Sequence, residues 1–268
     1  MFADELKRHS KAKLDPVAKH VRVATLDIET KPLITYSWGL FKQYHSIDQI
    51  IDHGGLLCFA VKWLGSNEVL FWSERDGHDT MVQAAWDVLT EADVLVTYNG
   101  FKFDVPRLNN EFLLSGLGPT APFKHVDLMR SNRQQFQLAS RKLDYLAQRT
   151  GTGHKTHHTG FQLWTDCMAG DEKAWALMER YNKQDVRLTE QLYLKLLPWL
   201  VDQPHIAVMA GDTSGWRCPH CGSAKVTKFG KKVHAFVRSY QLMRCADCLG
   251  WARSVFLEGT AQFTRPVK

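Results

Sequence analysis

The sequence predicts an α/β chain in two parts, a mixed five-stranded sheet flanked by helices and then a small, basic β module. Three observations predict it. Short apolar, β-branched runs come first in close succession and later singly, between stretches of helical periodicity. That order makes one side of the sheet antiparallel and the other parallel, with helices as connections. Four of the six cysteines lie beyond residue 210. So does the excess charge: from Gly211 to Lys268 there are ten Lys and Arg against three Asp and Glu, while the preceding chain holds 24 and 25. The net charge of +6 therefore arises in the last fifth of the chain, which points to a phosphate-binding appendage.

Apolar residues make up 44% and charged residues 23%, the balance of a soluble globular protein. No apolar run approaches the roughly 20 residues of a membrane-spanning helix, and the polar stretch Met1–Lys19 lacks the apolar centre of a signal peptide. The expectation is a cytoplasmic protein (host cytoplasm if viral) with no membrane partner. The predicted organisation is an N-terminal arm over 1–20, a core domain over 21–210 and the module over 211–268. Gly211–Gly215 reads as the linker, and no internal repeat is present.

In chain order, Val21–Thr30 reads as a buried strand ending in two acids. Lys31–Ile51 is an aromatic-rich connection with Tyr36, Trp38, Phe41 and Tyr44. It reads either as a loop packing its own aromatics or as a wall on which bases stack. Leu56–Trp63 and Glu68–Trp72 read as two strands joined at Gly65-Ser66-Asn67, forming an antiparallel meander with the first strand. Thr80–Ala92 has helical periodicity. Asp93–Tyr98 is a fourth strand, closed by the turn signal Asn99-Gly100. Val105–Leu114 is a helix with Pro106 in its first turn, where proline is tolerated. His125–Met129 is a fifth strand, and Arg141–Arg149 a helix stopped by Gly151. Gly151–Gly160 is a loop rich in Gly and His, and Glu172–Leu197 one long helix closed by Pro198.

Acids sit where this order predicts element ends. Asp27 and Glu29 are two apart in a strand and so share a face. Asp104 opens a helix, and Asp185 lies one turn after Tyr181, on the same helix face. Like charges on one face raise each other's pKa unless a cation compensates, and hard oxygen ligands suit Mg²⁺ or Mn²⁺. Taken singly, each acid also reads as solvated or as an ordinary helix-end carboxylate.

Asp27-Ile28-Glu29, then Asn99 with Phe103-Asp104, then Tyr181 with Asp185 resemble the three sequence blocks of the DEDD proofreading-type 3′–5′ exonucleases, the DnaQ-like family of ribonuclease H-like fold. Tyr181 marks the DEDDy branch; the DEDDh branch would need a histidine near that place, and none lies between His158 and Asp185. The resemblance covers roughly residues 20–200, and Lys142–Ala147 and Leu192–Trp199 look like stand-alone bacterial and phage members. It implies that Asp27, Glu29, Asp104 and Asp185 hold two divalent ions, Mg²⁺ or Mn²⁺, and that Tyr181 completes the catalytic set. A tyrosine with an ordinary pKa near 10 is a poor base at neutral pH, so Tyr181 is expected to orient the attacking water. Asn99 contacts substrate or braces its loop. Asp127, at another strand end, is left outside the set. His154, His157 and His158 read as a solvated, flexible loop, with contact to substrate phosphate as the alternative.

Cys218-Pro219-His220-Cys221 and Cys245-Ala246-Asp247-Cys248 form two CxxC knuckles. Four thiolates suit one tetrahedral, structural Zn²⁺, and the module resembles a zinc ribbon. Ala224–Phe229 and His234–Met243 alternate and are expected to form its hairpin, with Gly230-Lys231-Lys232 at the tip. Lys225, Lys228, Lys231, Lys232, Arg238 and Arg244 interleave with Phe236, Tyr240 and Trp251. That composition reads either as a structural module kept soluble by its charge or as a nucleic-acid clamp. Cys58 and Cys167 lack such partners and read as inert core residues.

The expected function is a metal-dependent 3′–5′ exonuclease that converts single-stranded or frayed DNA to 5′-mononucleotides, with Trp38, Asn99, Lys231, Lys232 and Arg238 in contact with substrate. The partner is nucleic acid, DNA in preference to RNA. With no polymerase region in the chain, a polymerase or another replication or repair protein would be served in trans. An exoribonuclease, a structure-specific endonuclease and a non-catalytic binder on the same scaffold are the alternatives.

Overall fold

The computed structural model describes residues 20–212, 215–235, 238–255 and 259–260. The N-terminal arm expected over 1–20 and Phe236 of the module lie, almost wholly and wholly, outside them. The chain divides into two compact units, one spanning Arg22–Leu192 and one containing the chain from Tyr193 onward.

The first unit begins with β1 (Val23–Lys31), followed by a small hairpin of β2 (Ile34–Thr35) and β3 (Ile50–Asp52) that forms a separate two-stranded sheet. The remaining strands are β4 (Gly55–Trp63), β5 (Leu70–Ser73), β6 (Val94–Thr97) and β7 (Lys124–Asp127). With β1 they make a five-stranded sheet in the order β5-β4-β1-β6-β7. β1 pairs antiparallel with β4 and parallel with β6, so the mixed character predicted from element order is observed.

Alternation along β1 separates two layers. Ala24, Leu26 and Ile28 are buried in one core cluster with Met81, Val82, Ala85 and Leu89 of α1 (His78–Glu91) and Leu108 and Phe112 of α2 (Asp104–Leu114). Leu57 and Cys58 of β4 pack instead with Leu163 and Cys167 of α5 (Gln162–Met168) and Trp175, Met178 and Tyr181 of α6 (Glu172–Leu196). Thr25, Asp27 and Glu29 point to that second layer. Both outlying cysteines, Cys58 and Cys167, are thus buried core residues, and burial pushes the Cys58 thiol up.

Several elements differ from the sequence expectation. The fifth strand stops at Asp127, and Met129 belongs to α3 (Leu128–Gln135). The Asp127 carboxylate accepts the Met129 and Arg130 amides, so the acid caps a helix and ends the strand at one position. The helix expected from Arg141 is α4 (Leu143–Thr150), ended at Gly151 in the left-handed conformation, φ 68°. α5 has no counterpart in the sequence reading, because its seven residues are too few to show a period.

In the second unit Gln203 donates to the Tyr193 hydroxyl and the His220 carbonyl, and Ile206, opening α7 (Ile206–Met209), donates its amide to Pro219 O. The stretch after Tyr193 is therefore tied to the first cysteine knuckle, and the unit begins earlier than residue 211. Its sheet contains β8 (Val226–Ala235), β9 (Arg238–Cys245), β10 (Trp251–Arg253) and β11 (Gly259–Thr260). Gly230-Lys231-Lys232 is not the tip of this hairpin. β8 runs through it, with a bulge between Lys228 and Lys232 opposite Gln241 and Met243. The Gln241 amide fills the gap by donating to Phe229 O and Lys231 O.

Candidate functional site

The acids of β1 and α6 converge. Ligand atoms of Asp27, Glu29 and Asp185 lie within 4.8 Å of one another. Two features of the sheet allow it. Ala60 and Cys58, opposite Asp27 and Glu29 on β4, are small enough for α6 to approach. A register shift directly after Glu29 turns the end of β1.

Asp104 is outside that three-acid group and beside it. β1 pairs with β6 only as far as Thr25↔Val96, so beyond that point the β1 edge needs another partner. Asp104 Oδ1 supplies one by accepting the Ile28 amide at 3.2 Å, between the two acids of the strand. The loop leading to Asp104 is held by Asp127, whose carboxylate accepts the amides of Asn99 at 2.9 Å and Phe101 at 3.2 Å. Asn99, at φ 74°, thus braces the turn through its backbone. A Cβ on Gly100 would sit 2.4 Å from Thr97 Oγ1, so only glycine closes this turn.

The electrostatics are those of a site built for cations. Burial, then repulsion from Asp185 and its neighbours, raises the Asp27 pKa. The same causes push Glu29 up to about 8, while burial takes Asp104 to about 7. Asp185 is buried and also raised, and its Oδ1 has no hydrogen-bond partner. A buried, unpartnered carboxylate oxygen facing two other acids is the donor set a hard divalent ion completes, and the residues present fit Mg²⁺ or Mn²⁺.

Three residues at this site carried no recognised signal in the sequence. Lys155, in the Gly- and His-rich loop, places its ammonium on Asp185 and 3.1 Å from the Tyr181 hydroxyl. Its backbone amide donates to Asp144 Oδ1, and Gln184 holds the adjacent His154 carbonyl. Asn182 donates to Asp27 Oδ2 at 2.7 Å and to Asp27 O at 3.2 Å. The Trp164 side chain of α5 hydrogen-bonds Glu29. Asn182 was legible in principle, standing three residues before Asp185 on one helix face. Lys155 and Trp164 come from loop and short-helix positions whose approach no local period encodes.

Tyr181 is buried, and burial and Asp185 raise its pKa further above the ordinary value. His158 packs edge-on against it, ring centroids 4.8 Å apart, and against Trp164 at 5.3 Å. His154 and His157 are exposed, and both line a cavity of about 590 Å³ with Lys155 and Asp144. The three histidines therefore do different things and make no cluster of their own.

In the second unit, the sulfurs of Cys218, Cys221, Cys245 and Cys248 lie within 4.8 Å of one another. Cys218–Cys248 is 3.5 Å and Cys221–Cys245 is 3.7 Å, too far for a disulfide. Zinc–thiolate bonds of about 2.3 Å in a tetrahedron separate the sulfurs by about 3.8 Å, so the four thiols fit one such ion. The Gly250 amide points at Cys248 Sγ, 3.4 Å away. Lys231, Lys232 and Arg238 are exposed on β8 and β9. Two further cations of this sheet stack on aromatic rings: Arg253 lies 3.9 Å from the Tyr240 ring centroid, and Arg244 5.2 Å from that of Trp251. Lys225 is paired with Asp247 at 3.1 Å. Among the described residues, no helix is long and apolar enough to cross a membrane.

A sequence model of the RNase H superfamily matches residues 52–197. The match takes in Asp104, Tyr181 and Asp185 and begins after Asp27 and Glu29, which the geometry brings beside Asp185. No curated protein matches the chain.

Proposed function

The chain belongs to the RNase H superfamily, and from that premise we propose that it is a DEDDy-type, metal-dependent 3′–5′ exonuclease acting on single-stranded or frayed DNA ends. The observation that carries the reading is the convergence of Asp27, Glu29 and Asp185 within 4.8 Å, with Asp104 on the intervening Ile28 amide and the Tyr181 hydroxyl beside them. Divalent ions held by these acids would supply a water of lowered pKa and stabilise the departing 3′-oxygen. Asn182 fixes the Asp27 carboxylate, and Trp164 fixes that of Glu29. Tyr181, with its raised pKa, is a hydrogen-bond donor at neutral pH and orients the attacking water rather than deprotonating it. The Lys155 ammonium pairs with Asp185 and donates to the Tyr181 hydroxyl, tying the loop to both residues. The four-cysteine module is proposed to be a zinc ribbon whose Lys231, Lys232 and Arg238 bind the phosphate backbone.

The test is incubation with Mg²⁺ or Mn²⁺ and end-labelled DNA and RNA, with products resolved by length. A 5′-labelled DNA strand should shorten one nucleotide at a time, and a 3′ label should appear at once as mononucleotide. Internal first cuts would identify an endonuclease, activity on RNA alone an exoribonuclease, and binding without cleavage a non-catalytic scaffold. Asp27→Ala, alone or with Glu29→Ala, should abolish cleavage with little loss of binding. Retained activity in excess metal would rule out the site.

A further inference from the structure

The connection between β1 and β4 does not pack its own aromatics. Trp38 is 95%, Tyr44 98%, Phe41 83% and Tyr36 70% exposed, and Leu40 is 92% exposed. The arm is nevertheless organised. Tyr36 donates its amide to Gln49 O, Thr35 Oγ1 donates to the same carbonyl at 3.0 Å, and the Gln49 side chain returns a bond to Tyr36 O. The Ser46 amide donates to Gln49 Oε1 and the Gln43 side chain to Phe41 O. The segment satisfies its polar groups internally and presents its rings to solvent, the reverse of what stabilises a free-standing loop.

We propose that residues 33–51 form a stacking platform for the unpaired bases of a nucleic-acid single strand whose 3′ end lies among the acids. The inference rests on the nuclease reading above and names the substrate class of that site: strands long enough to reach the arm, with their bases free. Continuity with the site favours this occupant. The arm leaves β1 only two residues after Glu29, so its root stands within about 10 Å of that acid. A cavity of about 380 Å³, lined by Leu33, Ile34, Phe161 and Met168 among others, joins the root of the arm to α5. The same helix supplies Trp164, which hydrogen-bonds Glu29. Apolar side chains of the root and of α5 therefore face each other where the segment leaves the strand that carries Asp27 and Glu29. The charges of residues 33–51 balance, with Lys42 against Asp48, so the platform offers faces for bases and no net attraction for phosphates. Stacking on such rings tolerates any base, because every base has a π-face.

The neutral composition gives the test its sharpest arm. In the intact 268-residue chain, Trp38→Ala with Tyr44→Ala should weaken binding of a long single strand by roughly 10- to 100-fold, measured by fluorescence anisotropy in Ca²⁺. The slope of log affinity against log salt should not change, because no counterion is released by stacking. A strand with abasic sites upstream of its 3′ end should bind wild type and variant equally. The melting temperature should hold, since both side chains are exposed. Wild-type affinity in the variant would overturn the proposal. So would an equal loss on the abasic strand, or loss of a self-associated form in sedimentation, which would make the arm a contact between copies. Binding with arm dependence but no cleavage under any metal would sink the nuclease reading and leave the platform standing; cleavage with no arm dependence would do the opposite.

Discussion

Glu29→Gln should stabilise the metal-free protein while destroying its site. In the folded, metal-free chain the Glu29 pKa stands at about 8, against an ordinary value of 4.5, with burial as the largest cause and Asp185 next. Between those values the folded chain holds a proton that the unfolded chain has released. Stability of the metal-free protein therefore falls as pH rises from about 5 to 8. The full gap corresponds to about 5 kcal/mol. Glu29 is partly open to water, and screening there reduces the effect to about 2 kcal/mol. Glutamine removes the titration and still offers an oxygen to the Trp164 side chain. In EDTA at pH 8 the variant should melt roughly 5 °C above wild type, and the two should converge near pH 5. In saturating Mn²⁺ the order should invert, because wild type gains about 2.7 kcal/mol at a metal concentration of about 100 Kd and the variant has lost a ligand. Calorimetry across pH, with and without metal, gives all three comparisons. A variant no more stable than wild type in EDTA at pH 8 would mean that the acids do not strain the fold, and the reasoning from buried repulsion would be refuted.

Tyr181→Phe keeps the ring packed on His158 and removes the hydroxyl; turnover should drop by roughly 10- to 1000-fold with little change in melting, and full turnover would show that the tyrosine only packs. Lys155→Met should tighten Mn²⁺ binding in isothermal titration, because the ammonium no longer competes for Asp185, and lower the melting temperature in EDTA; an unchanged affinity would show that Lys155 leaves the site at no cost. Elemental analysis should find about one Zn²⁺ per chain and none in Cys221→Ser with Cys245→Ser; zinc retained by the double variant would place it elsewhere. Lys231→Ser with Lys232→Ser should flatten the salt slope of single-strand binding by up to about two, close to one for each phosphate no longer neutralised, and an unchanged slope would remove these lysines from the interface.

Much of the fold was legible because its strands and helices have marked ends. The run before Asp27, the Asn99-Gly100 turn and the Gly151 stop each combine a periodic stretch with a residue whose backbone or charge fixes a boundary. Asp27 and Glu29 were legible as a pair because a strand has a period of two, and Tyr181 with Asp185 because a helix returns after four residues. What the sequence concealed comes from non-local approach. Lys155 reaches Asp185 across 30 residues, and Asn182 reaches Asp27 across 155. The hairpin of the second unit misled for a local reason: Gly230-Lys231-Lys232 has the composition of a turn, but Gln241 across the strand satisfies the bulge there, and the strand continues. The exposed rings of residues 33–51 show the limit of composition itself, since an aromatic-rich loop reads alike whether its rings face inward or out.

The bond from the Ile28 amide to Asp104 has a consequence for how an inactive form should be made. Asp104 is at once an acid beside the candidate metal ligands and the edge partner of the strand that carries two of them. Alanine at 104 would strip a charge and also orphan a buried backbone donor, so a loss of cleavage would be indistinguishable from a frayed β1. Asparagine at 104 keeps an oxygen for the amide and discards only the charge. A substrate trap for crystallography or cross-linking is therefore better built as Asp104→Asn than as Asp104→Ala, and an alanine scan that ranks the four acids by residual activity would rank Asp104 on two scales at once.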